Sequence, residues 1–140
     1  MPASTARKPR PPAPASERSQ AGAGLRTFSR IAGQWKLAAN DAMTLLGVDS
    51  RSTYYELLKR ARESREVKGL SNDQLERLSY LLGIYESIRV LFPHHKETRD
   101  AWVTTPNSGL VFGGRPPLEL MRANMIGLYQ TFLHLAAARS

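Results

Sequence analysis

The side chains with the greatest chemical capacity lie close together, between residues 50 and 62. This stretch reads SRSTYYELLKRAR and combines hydroxyl groups, two tyrosines and several cations. Cations and hydroxyl groups bind the phosphates of DNA, and arginine can donate two hydrogen bonds to guanine. The candidate DNA-contacting residues are Ser50, Arg51, Ser52, Thr53, Tyr55, Lys59 and Arg60.

The sequence contains no comparable set of residues for catalysis or metal binding. The sequence contains no cysteine, which excludes disulfides, thiolate metal sites and cysteine nucleophiles. The Gly113-Gly114 pair lacks the Lys and Ser or Thr of a phosphate-binding loop, and the adjacent His94 and His95 have no third ligand nearby. We therefore expect no active site, no metal and no cofactor, and an enzyme is the least supported class of protein.

The positive charge is concentrated in the first half of the 140-residue chain, which carries a net charge of +8. Counting Lys and Arg against Asp and Glu gives +3 for residues 1–24, +4 for 25–68 and +1 for 69–140. Such an excess indicates a polyanionic partner such as nucleic acid, or simply a basic, solvated surface. No apolar run is long enough to span a membrane, so a cytoplasmic protein without a membrane partner is expected.

Helical spacing in the first half would position the candidate DNA contacts. Residues 1–24 are rich in Pro, Ala, Gly and Ser and predict a disordered tail, whereas residues 25–68 predict three helices. Gly47 separates a short second helix from the third, on which Ser50 or Ser52 can serve as the N-cap. This pattern fits a helix-turn-helix, or an ordinary helical hairpin with a basic outer face. The predicted inward-facing residues are Phe28, Ile31, Ala32, Trp35, Ala42, Leu45, Leu46, Tyr54, Leu57, Leu58 and Ala61.

The second half, residues 69–140, also predicts helices. A capping box at Ser71–Gln74 starts the longest one, Pro93 ends it, and Pro117 suits the first turn of a last helix running past Leu135. With no period-2 stretch of useful length, the expected fold class is all-α. The apolar stripe of the longest helix either belongs only to the core or forms both the core and a homodimer contact. The candidate residues for the dimer contact are Leu75, Leu78, Leu82, Tyr85, Ile88 and Phe92.

A loop before the last helix raises a separate question. Residues 106–121 read PNSGLVFGGRPPLELM and place Leu110, Val111 and Phe112 in a segment too rich in Gly and Pro for a helix. Apolar loop residues either pack beneath the fold or are offered to a partner.

Four segments taken in order resemble the Xre/MbcA/ParS-type antitoxins. They are WKLAANDAMTLLGV, RSTYYELLK, LERLSYLLGIYESIRVLFP and AWVTTPNSGLVFGGRPPLELM, and the resemblance runs from about Phe28 to Leu135. It implies an N-terminal helix-turn-helix that binds operator DNA, a dimerising core within Leu75 to Phe92 and a C-terminal toxin-binding domain. The chain departs from the family pattern at Pro116, Ala38 and Leu57, where Ser, Ser and Trp are common.

The resemblance also implies a partner: a RES-domain toxin that destroys cellular NAD, neutralised by an antitoxin that represses its own operon. The alternative is a stand-alone dimeric DNA-binding regulator. The C-terminal end of the last helix is expected to project towards the NAD pocket of the toxin. A chain truncated after about Phe132 is expected to fold but to leave the toxin active. The implied toxin-binding residues are Trp102, Pro106, Asn107, Phe112, Gly113, Gly114, Leu118, Met121, His134 and Arg139.

Overall fold

A computed structural model describes residues 15–64 and 66–140, with side chains from residue 19 onward. The described part of the chain is all-helical, as predicted, and a 3-10 turn spans Trp102–Thr104. Its helices are α1 (Ala15–Gln34), α2 (Ala39–Leu46), α3 (Arg51–Glu63), α4 (Asn72–Leu91), α5 (Lys96–Ala101), α6 (Pro117–Ala123) and α7 (Met125–Arg139).

The first helix begins earlier than the sequence predicted. Residues 15–24, expected to belong to a disordered tail, form the first half of α1, and Ala21 is buried. The small residues of this stretch let the backbone of α1 lie close to α4, and this packing makes an ordered helix possible. A Cβ added to Gly24 would lie 3.0 Å from Leu78 of α4. The part of the predicted tail before residue 15 lies outside the described residues.

The inward faces predicted for the first three helices are confirmed. Leu25, Phe28, Ile31 and Trp35 of α1 are buried together with every predicted inner residue of α2 and α3. Burying each large apolar side chain contributes about 1.5–3 kcal/mol, so this cluster holds α1, α2 and α3 in one arrangement.

Helix α4 is the centre of the molecule because it packs against α1, α2 and α7. Its predicted capping box is present: the Ser71 hydroxyl accepts from the Gln74 backbone N–H at 3.0 Å, and the Gln74 side-chain oxygen Oε1 accepts from the Ser71 backbone N–H at 3.0 Å. Of the six candidate dimer residues on this helix and its C-cap, Leu78 and Ile88 are buried within the chain and the others are partly buried. Most of the stripe therefore serves the core of a single chain.

The predicted last helix is in fact two helices. The chain leaves the helical conformation at Asn124, whose side chain caps α7 by accepting from the Gly127 N–H at 2.8 Å. Gly127 also permits the sharp corner, since a Cβ at this position would lie 2.0 Å from the carbonyl oxygen of Leu120 in α6. The prediction of one continuous helix was wrong because the apolar spacing continues across this corner.

Candidate functional site

Helix α2, a four-residue turn and helix α3 have the order of a helix-turn-helix. Gly47 adopts a left-handed conformation with φ of 77°, and its N–H donates to the carbonyl of Thr44 at 3.1 Å. The N–H of Val48 donates to the carbonyl of Met43 at 2.9 Å, which completes the end of α2. The chain then enters α3 at Arg51 through Ser50.

Ser50 has a structural task at the start of α3. Its hydroxyl accepts from the Thr53 N–H at 3.1 Å and lies 3.0 Å from the Thr53 hydroxyl. Such a cap contributes about 1 kcal/mol to a helix. The choice between Ser50 and Ser52 as the N-cap is therefore settled in favour of Ser50, while Ser52 lies exposed on the first turn.

The remaining candidate DNA contacts lie on the exposed side of α3. The guanidinium of Arg51 lies 3.3 Å from the side-chain oxygen of Asn40, and Arg60 forms an exposed ion pair with Glu56 at 3.4 Å. Lys59 is exposed, and no ion pair joins it to another described residue. Exposed pairs of this kind are weak, so the cations remain available to an anion.

Buried contacts fix the orientation of α3. Tyr54 is buried with its ring 5.3 Å from that of Tyr55, and burial raises the pKa of the Tyr54 hydroxyl above its ordinary value of 10.0, with a smaller contribution from Tyr55. Arg26 of α1 donates to the carbonyl of Ala61 at 2.7 Å. The exposed face of α3 is thus presented by a helix fixed along its length.

The turn between α2 and α3 is also supported from the second half of the chain. The Gln74 amide donates to the carbonyl of Gly47 at 3.1 Å, in addition to its part in the capping box. An ion pair of 3.0 Å joins Arg122 of α6 to Asp41 of α2. These two polar contacts therefore join the helix-turn-helix to the second half of the chain.

The loop before α6 is closed by its own backbone. The N–H of Asn107 donates to the carbonyl of Arg115 at 3.2 Å, and the N–H of Gly114 donates back to the carbonyl of Asn107 at 2.9 Å. The Asn107 side chain accepts from the Gly109 N–H at 2.9 Å. Gly113 and Gly114 have φ values of 59° and 85°, which residues with side chains adopt at a cost.

Phe112 fastens this loop to the helices. It is buried, with its ring centroid 5.8 Å from that of Trp102 and 5.1 Å from that of His134 in α7. Of the two alternatives for apolar residues on this loop, Phe112 follows the first, since it packs beneath the last helix. Leu118 and Met121 are buried as well, so in the free chain all three side chains lie beneath the surface, and their part in toxin binding stays a prediction.

Two residues that were not among the toxin-binding candidates occupy the tip of the loop. Leu110 is fully exposed and Val111 is 40% exposed, while the next residue, Phe112, is buried. The sequence placed all three apolar residues on a loop, but only the packing of the aromatic rings shows which of them face outward.

The C-terminal candidates are partly tied into the fold. His134 stacks on Trp102 with ring centroids 6.4 Å apart, and Arg139 donates to the hydroxyl of Ser87 at 3.3 Å. Leu135 is buried. Removal of the residues after Phe132 would take Leu135 out of the core, which argues against the expectation that they are dispensable for folding.

The described part of the chain has neither a cluster of metal-binding side chains nor a membrane-spanning helix. Across residues 15–64 and 66–140, no three side chains of His, Asp or Glu come together as a metal site would require. In the same part of the chain, no helix is long and apolar enough to cross a membrane.

Comparison with known proteins places this architecture in a family. Residues 14–83 match the antitoxin Xre-like helix-turn-helix domain, and residues 89–139 match the antitoxin Xre/MbcA/ParS C-terminal toxin-binding domain. The chain belongs to the Xre/MbcA/ParS-type antitoxins: it combines a DNA-binding helix-turn-helix with a domain that binds a toxin protein. The helix-turn-helix match reaches into α4, so the boundary between residues 68 and 69 stays a prediction.

One relative matches the chain over nearly its whole length. The chain is 34% identical over 127 residues to the uncharacterized protein y4oB of Sinorhizobium fredii, covering 90% of this chain and 92% of that protein. No solved structure matches the chain.

Proposed function

We propose that this antitoxin neutralises a RES-domain toxin that degrades NAD, and that it represses its own operon as a homodimer in the cytoplasm. The proposal is supported by the match to the toxin-binding domain and by the resemblance carried by the motifs PN, FGG and PLELM within residues 106–121. The antitoxin needs no catalytic group for this role, because covering the toxin's active site is sufficient.

The observation that carries the toxin-binding proposal is the exposed tip of the loop. A fully exposed leucine is unfavourable in water, yet Leu110 is held there by a loop closed with backbone hydrogen bonds and fastened by Phe112. A contact that is rigid before binding loses little conformational entropy on binding. Leu110, with Val111 beside it, is thus suited to enter an apolar pocket on the toxin.

The other candidates in this region then have supporting roles. Trp102, Phe112 and His134 form one aromatic cluster beneath the loop, and Gly113 and Gly114 set its backbone. Leu118 and Met121 hold α6 in place from the core. Substituting these residues would damage the loop and the fold together, so they are poor tests of the contact.

Co-expression with a RES-domain toxin tests the proposal. The wild-type antitoxin should restore growth and the cellular NAD level, whereas Leu110→Asp should restore neither, since a carboxylate cannot enter an apolar pocket without a large desolvation cost. Tyr55→Asp is the matched control: it replaces another exposed apolar side chain, on α3, and should still neutralise the toxin.

The reverse pattern is expected for operator DNA. Tyr55→Asp should lose binding to the operon's own promoter in a mobility-shift experiment, and Leu110→Asp should retain it. If the wild-type chain binds this promoter but never protects cells from the toxin, the stand-alone regulator is the better description.

A further inference from the structure

A small cavity lies between the loop and helix α6. It has a volume of about 110 Å³ and is lined by Phe112, Arg115, Pro116, Glu119, Leu120 and Ala123. Phe112 is buried at one side of it, while Arg115 and Ala123 are exposed, so the cavity opens at the surface. All six residues fall within residues 89–139, the stretch that matches the toxin-binding domain. The cavity is therefore part of the region through which the chain binds a toxin.

The carboxylate of Glu119 has no partner among the described residues. Glu119 is the third residue of α6, a position from which a glutamate normally accepts a hydrogen bond from the N–H of the N-cap residue. Here the N-cap residue is Pro116, which has no N–H to donate. No ion pair or side-chain hydrogen bond joins Glu119 to any other described residue. A partly buried charge without a partner is costly, so a donor that arrives with the toxin would stabilise it.

We propose that the cavity receives one lysine or arginine side chain of the toxin, whose cation pairs with Glu119. Such side chains bury their methylene stems against apolar surface, which Phe112, Pro116 and Leu120 provide here. The size also agrees, because a cavity of about 150 Å³ holds benzene and this smaller one suits a narrow chain better than a ring. The inference rests on toxin binding in the proposed function and adds the chemistry of one contact.

Arg115, at the rim of the cavity, raises the alternative of an acidic side chain as the occupant. Its side chain is exposed, and within the part of the chain that the structure describes it forms no ion pair. Water therefore solvates the Arg115 guanidinium in the free chain, and an exposed pair with an incoming carboxylate would gain little. Glu119 is only partly exposed, so its carboxylate gains more from a new partner. The balance of burial favours a cationic occupant.

Isothermal titration calorimetry of the full-length chain with a purified RES-domain toxin tests the proposal. Glu119→Gln keeps the shape of the side chain and removes its charge, and it should weaken binding by at least about 10-fold, the effect of losing a hydrogen bond to a charged group. Glu97→Gln is the matched control: it removes the same charge from an exposed position on α5 and should bind as the wild type does. Because no described residue pairs with Glu119, the thermal transition of free Glu119→Gln should stay close to that of the wild type, which excludes a folding defect.

Two further variants determine the charge of the occupant. Arg115→Gln should bind the toxin as tightly as the wild type or more tightly, because it removes a cation that repels the incoming cation. Glu119→Lys should bind poorly, and its binding should be restored by replacing the contacting toxin residue with glutamate. A set of toxin variants in which each exposed Lys or Arg is changed to Glu identifies that residue.

The outcomes separate this inference from the proposed function. If the wild type binds the toxin, Leu110→Asp does not and Glu119→Gln binds as tightly as the wild type, the cavity contact is overturned while the loop-tip contact stands. Weaker binding by Arg115→Gln together with unchanged binding by Glu119→Gln would assign the cavity to an acidic side chain and overturn the inference as well. A wild type that binds no RES-domain toxin overturns both the proposed function and this inference.

Discussion

On α3, Arg51 and Lys59 share an exposed side but occupy different positions along the helix. Arg51 lies in the first turn, where a reading helix contacts base edges, and Lys59 lies two turns further on. Their chemistry differs too, because a guanidinium can read guanine through two hydrogen bonds whereas an ammonium acts as a point charge.

Arg51→Ala should therefore weaken binding to the operator by about 1–3 kcal/mol and relax the preference at one base pair. Lys59→Ala should weaken binding to all sequences alike and reduce the slope of log K against log salt by about one. Fluorescence anisotropy with operator and scrambled duplexes over a salt series measures both effects. Equal losses on the two duplexes for Arg51→Ala would remove it from base recognition.

Tyr54 carries a prediction about pH. Burial raises the pKa of its hydroxyl in the folded protein above 10.0, so folding favours the protonated form. The protonated Tyr54 hydroxyl therefore favours the folded state over the unfolded state. This contribution to the free energy of unfolding is complete below about pH 10 and is lost as the pH rises through the folded-state pKa of Tyr54.

Tyr54→Phe cannot ionise at this position, so the difference in stability between wild type and variant should be constant at neutral pH and shift in favour of the variant above about pH 10. Urea unfolding at several pH values measures it. The prediction would be contradicted if the free energies of unfolding of wild type and Tyr54→Phe, plotted against pH, stayed parallel above about pH 10.

At the scale of elements, the corner between α6 and α7 depends on the absence of a side chain. Because a Cβ at Gly127 would lie 2.0 Å from the carbonyl oxygen of Leu120, the two helices cannot keep their present distance with any other residue there. Leu118 and Met121 on one side of the corner and Leu128 on the other all enter the core, so a shift would disturb it.

Gly127→Ala should consequently destabilise the protein by about 1–3 kcal/mol, as overpacking does. Gly33→Ala in α1 is the matched control: its added Cβ meets nothing within 4 Å, and a helical Gly→Ala change should stabilise by about 0.5–1 kcal/mol. Chemical denaturation of both variants tests whether the signs are opposite. A neutral Gly127→Ala would mean that the corner relaxes freely.

At the scale of the whole molecule, α4 belongs to the structure of both halves. It packs against α1 and α2 on one side and α7 on the other, and the rings of Trp35 and Tyr85 join α1 to α4 with centroids 6.5 Å apart. Gln74 at its start also supports the turn at Gly47. The helix-turn-helix thus obtains part of its core from beyond residue 68.

A fragment of residues 1–68 should therefore show weak helical circular dichroism, no cooperative melting and no operator binding. A fragment of residues 1–92, which retains α4, should regain much of the helical signal. Cooperative unfolding of the shorter fragment would show that the first three helices are a self-sufficient domain, as the predicted boundary supposed.

The sequence by itself determined the local features of this protein. The all-α class, the inner faces of α1, α2 and α3, the capping box at Ser71 and the end of α4 before Pro93 follow from periodicity and backbone chemistry within a few residues. The order of motifs sufficed to indicate the antitoxin family, which the comparisons confirm.

Tertiary structure decided which residues are exposed at the surface. Phe112 and Leu110 are both apolar residues on one loop, but Trp102 of the 3-10 turn and His134 of α7 cover the first and leave the second exposed. The order of residues 15–24 and the corner at Asn124 likewise depend on close approach to α4 and α6. Exposure is a property of what packs alongside a residue, and those neighbours are remote in the sequence.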